Sequence, residues 1–350
     1  MAYTDIDKPS DYFETKLYTG NGGTQSITGL DFQPDWVWSK ARSEESNHML
    51  FDVIRGATKQ LHSQTTEAES TASTSLTSFD SNGFTLGNNG NINRNTETYA
   101  SWNWKAGTSF TNDASSTGIG SIDSTGSVNT DAGFSIVSFT GTGSTGTVAH
   151  GLGVAPSMLI YKNRASTDSW NVQHDGLTSY DYYVRLNSTG AQNNDIDVGP
   201  TAPTSTVVTV GSHAQQNGDG NAMILYAFAE KQGYSKFGSY VGNGNNNGVF
   251  VYTGFKPAFV LRKVAIGGTG AWLMHDNKRS PHNEAELQLV ANAAAAEESS
   301  TNYNEIDILS NGFKMRGSGT WSNGSGRTYI YLAFAENPFT TSTGVPGTAR

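Results

Sequence analysis

Apolar and polar residues alternate with a period of two in many short stretches of this chain. Trp36 and Trp38 share one face of such a stretch, as do Trp102 and Trp104, because successive strand side chains point to opposite sides. In residues 132–232 the pattern predicts seven short strands, at 134–139, 147–150, 157–162, 170–174, 182–186, 206–210 and 222–229. Gly141 and Gly143 mark a tight turn of hairpin type after the first of them, since glycine adopts positive φ without steric strain. Pro156 ends pairing before the third, because proline lacks the donor a central strand needs. Seven or eight short strands at this spacing predict a β-sandwich or jelly-roll-like unit. One helix is expected, over the alanine-rich and acidic segment 283–298.

The same pattern occurs three times. Gly20, Pro34, Lys40 and Asp52 recur as Gly141, Pro156, Lys162 and Asp175, and again as Gly242, Pro257, Lys263 and Asp276. In every copy the lysine follows the proline by six positions. Each copy closes on an aromatic strand, at Tyr99 to Trp104, Ile224 to Glu230 and Ile330 to Glu336. Self-similarity at a fixed period identifies a repeat architecture. The fold expected is therefore all-β, with three tandem sandwich domains and little helix. They span 11–107, 132–232 and 233–339, with a Ser/Thr/Gly linker at 108–131, an N-terminal arm at 1–10 and a C-terminal tail at 340–350. Units of ~100 residues can each bury enough surface to fold, so three small cores with interfaces between them are expected.

Composition narrows the function. Of 350 residues, 15 % are charged, 40 are glycine and 38 are aromatic, and there is no cysteine. Disulfides and thiolate metal sites are excluded. The net charge is −9, with −4, −3 and +1 on the three repeats and −3 on the flanking segments. An acidic chain without a basic block is a poor nucleic-acid binder. No signal peptide and no run long enough for a membrane helix is visible.

Candidate chemistry is sparse. Gly141, Gly143 and Gly146 match a dinucleotide fingerprint, but a β-like stretch follows where a helix N-terminus is needed. The recurring Lys/Asp positions are open to two readings. One is a hydroxyl-binding site. The other is structural, either an ion pair or an aspartate bound to turn N–H groups. His174 with Asp175 and His275 with Asp276 are neighbours on a strand and so point apart. No metal-ligand spacing, no cofactor motif and no catalytic constellation is found, so no enzyme activity is expected. Trp321, in a Gly/Ser loop, is the best contact residue, against a sugar or a neighbouring subunit.

Several blocks resemble a family of tandem-repeat structural proteins of tailed bacteriophages of marine bacteria. They are Asp7 to Phe13, Ser26 to Trp38, Phe51 to Lys59, Ser75 to Phe84, Ala132 to Gly143, Gly233 to Gly244 and Phe250 to Val260. The resemblance implies a virion protein, made in the host cytoplasm. The role expected for it is a tail fibre, appendage or attachment protein on the particle exterior. The alternatives are capsid decoration or a lectin-like module for host-surface glycan. Its expected partners are other virion proteins, in a homo-oligomer, without nucleic acid or membrane.

Overall fold

The computed structural model describes residues 3–199, 201–299 and 304–347. The outermost ends of the expected arm and tail, 1–2 and 348–350, lie outside the described residues. The fold is all-β, built from antiparallel sheets, and the three α-helices among the described residues have four residues each.

Each repeat contains the same large sheet. In the first, the order is Phe13–Thr19, Thr98–Trp104, Trp36–Ala41, Met49–Asp52. The second has Phe134–Thr140, Ala222–Phe228, Met158–Asn163 and Asn171–His174 in the same order. The third has Ser235–Val241, Thr328–Pro338, Phe255–Ile266 and Leu273–Asp276. A small sheet covers one face of each. In the first repeat it pairs Gln25–Thr28, Gly83–Leu86 and Leu76–Asp80. The first strand passes from large to small sheet through the glycine turn. A Cβ at Gly20 or Gly141 would lie 2.2 Å from a backbone oxygen, and at Gly242 2.4 Å. Only glycine fits there. The strands flanking Gly141 belong to different sheets, so this turn is an inter-sheet crossing and not a hairpin.

Between the two sheets of each repeat lies a private core. In the first repeat it holds Val37, Phe51, Phe84 and Leu86, and clusters of the same kind fill the second and third. The opposite face of every large sheet enters one cluster common to all three repeats. It draws Trp36, Trp38, Trp102 and Trp104 from the first repeat, and Phe134, Trp170, Tyr226 and Phe228 from the second. From the third it takes Phe237, Phe259, Trp272 and Phe334. Trp36 lies 4.5 Å from both Trp104 and Tyr226, and Phe334 lies 5.8 Å from Trp104 and 6.1 Å from Phe228. The expectation of three small cores is thus corrected. The physical reason is that the large sheets are buried on both faces, which is why strands such as Ala222–Phe228 read as continuous apolar runs.

The three repeats close into a ring. The Nε1–H of Trp170 donates to the His62 carbonyl at 2.9 Å, and that of Trp272 to the Arg185 carbonyl at 2.9 Å. At the third junction His48 takes the tryptophan's place. Its Nδ1 accepts from Trp38 and its Nε2 donates to the Val290 carbonyl at 3.0 Å. Repeat two thus contacts one, three contacts two, and one contacts three.

Four further expectations are corrected. Residues 108–131 are not a linker. Thr108–Asn112 and Ser124–Asn129 pair as strands and extend the second large sheet, because their Thr, Ser, Phe and Val residues suit an edge beside Phe134–Thr140. Segment 283–298 contains no helix. Leu287–Val290 pairs with Leu273–Asp276, and this tertiary pairing overrides the helix propensity of its alanines. Pro34 and Pro156 precede their strands, but Pro257 lies within Phe255–Ile266, where bulges flank it. The repeat position assigned to Asp175 belongs to His174. His174 faces Met158 as Asp52 faces Trp36 and Asp276 faces Phe259, which places Asp175 one residue past the shared site.

Candidate functional surfaces

The recurring lysines are the first sequence-identified residues to place. Lys40, Lys162 and Lys263 are fully buried at the ring junctions. They pair with carbonyls, not with the recurring aspartates. Lys40 donates to the Ala41 oxygen at 2.7 Å and Lys162 to the Asn163 oxygen at 2.9 Å. Lys162 also reaches Thr66 in the first repeat, and Lys263 reaches Ser188 in the second at 3.1 Å. Burial pulls the ammonium groups of Lys40 and Lys162 down to about 8 and that of Lys263 to about 7.

Asp52 and Asp276 face the shared core. Their Oδ1 atoms accept turn N–H groups, from Ile54 and Arg55 and from Lys278 and Arg279. Their Oδ2 atoms hold buried arginines and a donor from the neighbouring repeat. Asp276 accepts from Arg279 Nε at 2.5 Å and from Trp102 Nε1 at 3.1 Å. Asp52 accepts from Arg55 Nε at 2.5 Å and from the Tyr226 hydroxyl at 2.7 Å. Each network continues outward. Arg279 meets Glu297, which binds Arg42 across the junction at 2.7 Å. Arg55 meets Glu69, which binds Arg164 across the junction at 2.9 Å.

The junction between repeats two and three lacks this network. The Glu297 and Glu69 N–H groups donate to the carbonyls of Arg42 and Arg164, and the equivalent bond runs from Gln192 to Ala265. Leu332 stands where Trp102 and Tyr226 do, by the strand registers. Leu177 follows His174 by three positions, as Arg55 follows Asp52 and Arg279 follows Asp276. His174 accepts from Gly176 N–H at Nδ1 and donates from Nε2 to the Tyr331 carbonyl at 3.0 Å.

The histidine–aspartate pairs do not meet. Asp175 binds the Tyr180 hydroxyl, and His275 contacts Arg262 while Asp276 faces the shared core. No group of three or more possible metal ligands occurs among the described residues. The second repeat's glycines at 141, 143 and 146 are not followed by a helix.

One residue set escaped the sequence reading. Asn93, Asn217 and Asn323 are buried and brace the three glycine turns. Asn217 Nδ2 donates to the oxygens of Ser144 at 2.7 Å and Gly211 at 2.8 Å, while its Oδ1 accepts from Thr142 N–H at 2.8 Å. Asn93 and Asn323 repeat these contacts. The available signal was spacing, since each follows Gly87, Gly211 or Gly317 by six positions.

A family model described as a domain of unknown function (DUF7483) matches residues 8–338. The chain belongs to the DUF7483 family. No curated protein and no solved structure matches it. In this DUF7483 chain the repeats also differ on their outward surface. Phe250 and Tyr252 are 44 % and 54 % exposed on the third small sheet. The same registers carry Ser26 and Thr28 in the first repeat, and Thr147 and Ala149 in the second. Tyr3 of the N-terminal arm lies beside them, its hydroxyl donating to the Gly254 carbonyl at 2.6 Å. Trp321 is 41 % exposed. It borders a cleft of about 260 Å³ lined also by Thr189, Gln288, Asn292, Ala293 and Glu298.

Proposed function

We propose that this chain is a non-enzymatic structural protein on the exterior of a bacteriophage particle, acting as a tail fibre, appendage or attachment component. The observation carrying this reading is the closed ring of three sandwiches joined by equivalent hydrogen bonds. Such a chain is a single-polypeptide pseudo-trimer, and it fits a capsid or tail position of threefold symmetry. Tying the buried residues to junctions and turns favours a scaffold over catalysis. The family resemblance of the repeat blocks supports the phage setting. Cryo-EM of purified particles tests it. Ring-shaped density at a threefold position is expected, and particles lacking the chain would reject it.

A second reading is favoured by the Trp321 cleft, where the partly exposed tryptophan shares a lining with Thr189, Asn292 and Glu298 among apolar alanine and valine residues. That combination suits a sugar ring, with stacking on the indole and hydroxyls bound by the polar groups. A glycan array should then give signal with the native chain and none with Trp321→Ala. Equal binding by both would exclude the cleft.

A further inference from the structure

The five junction positions divide into two halves. One face of a repeat supplies a donor half, an arginine and an aromatic. The facing repeat supplies an acceptor half, an aspartate, an arginine and a glutamate. The first repeat carries both, with Arg42 and Trp102 on one side and Asp52, Arg55 and Glu69 on the other. The second keeps only the donor half, Arg164 and Tyr226. The third keeps only the acceptor half, Asp276, Arg279 and Glu297. Every departure from the charged set falls on one junction, although the residues belong to two repeats. His174, Leu177 and Gln192 of the second repeat face Ala265 and Leu332 of the third. A mixed junction would bury a charge without its partner, which is strongly unfavourable, whereas replacing the whole set by neutral groups is tolerated.

We propose that these positions form a pairing code in which the first repeat is self-complementary. Its donor and acceptor halves match each other, while the second repeat offers only a donor half and the third only an acceptor half, so each of those two has a single charged side. Chain connectivity accounts for where the network was dispensable. Repeats two and three are joined by residues 229–234 alone, between the strands ending at Phe228 and starting at Ser235. Such a short tether holds the neutral faces at high effective concentration. The junction between repeats one and three has no direct covalent link and carries a full network.

The code can be tested in the full-length chain by turning the neutral junction into a first-repeat pair. The acceptor graft is His174→Asp, Leu177→Arg and Gln192→Glu. The donor graft is Ala265→Arg and Leu332→Trp. Urea unfolding is followed by tryptophan fluorescence. Each graft alone is expected to lower the folded-to-unfolded ratio at least tenfold. The combined chain is expected to exceed the product of the two effects at least tenfold. Effects that simply multiply would overturn the code. Should a graft prevent folding, Gln192→Glu and Ala265→Arg provide the outer pair alone, at positions whose counterparts Glu297 and Arg42 keep 9 % and 20 % side-chain exposure. Recovery of at least threefold in that double variant is expected, and none would again overturn the proposal.

Discussion

Trp36→Ala would test whether the shared core makes the three repeats one cooperative unit. Trp36 is buried among aromatic rings from two repeats. Trp104 and Tyr226 lie at 4.5 Å, Trp38 at 5.7 Å, Phe134 at 5.9 Å and Phe228 at 6.0 Å. Truncating a large buried aromatic costs ~3–5 kcal/mol, through lost transfer energy and the cavity left behind. Contacts to five rings place this site near the upper end, at about 4–5 kcal/mol. That is a factor of roughly 10³ in the opening equilibrium, at about 1.4 kcal/mol per tenfold. Native-state hydrogen exchange resolved by peptide reads each repeat separately. The central strands Thr98–Trp104, Ala222–Phe228 and Thr328–Pro338 report on repeats one, two and three. If the shared core couples them, the slowest amides of all three strands lose protection together, by about 10³-fold. Loss confined to Thr98–Trp104, with the other two strands unchanged, would refute the reasoning and return the repeats to independent domains.

Other outcomes follow from local geometry. Asn217→Ala strips buried partners from Ser144, Gly211 and Thr142 and should cost about 2–3 kcal/mol in urea unfolding, whereas exposed Asn194 should tolerate alanine. Gly141→Ala places a Cβ 2.2 Å from the Gly218 oxygen and should cost more than Gly153→Ala, where only a φ of +72° is at stake; thermal melts of the two variants compare them directly. Stability should rise with pH from about 7 to 10. Burial depresses Lys263 to about 7 and Lys40 and Lys162 to about 8, so in that window the unfolded chain binds more protons. Lys263→Met should flatten the rise in urea midpoints measured across this range. On the acid side His150 and His174 are held down to about 4 by burial, so the unfolded state again takes up protons first. Each should remove about 3 kcal/mol between pH 6.5 and 4, and His174→Gln should lessen that loss in acid titrations.

The repeat, its strand content and its glycine turns were legible because they rest on local rules. Period-two alternation specifies a strand and clustered glycines mark a turn, although the oxygens of Arg94 and Gly218 that demand glycine at Gly20 and Gly141 come from far along the chain. The recurrence of Lys40, Lys162 and Lys263 was visible too, though their carbonyl partners were not. What stayed hidden depends on contacts far apart in the chain. Alternation shows that Trp36 and Val37 face opposite ways, but not that one face meets two other repeats. Matching His-Asp dipeptides drew Asp175 into the alignment, and only the pairing of Met158 with His174 set the register. Likewise the alanines and acids of 283–298 suit a helix until a sheet edge offers Leu287–Val290 its hydrogen bonds. Local chemistry thus chose the units. Ring closure added the second face of each large sheet to the core, since Trp102 and Asp276, 174 positions apart, gain a common bond only when the chain folds back on itself.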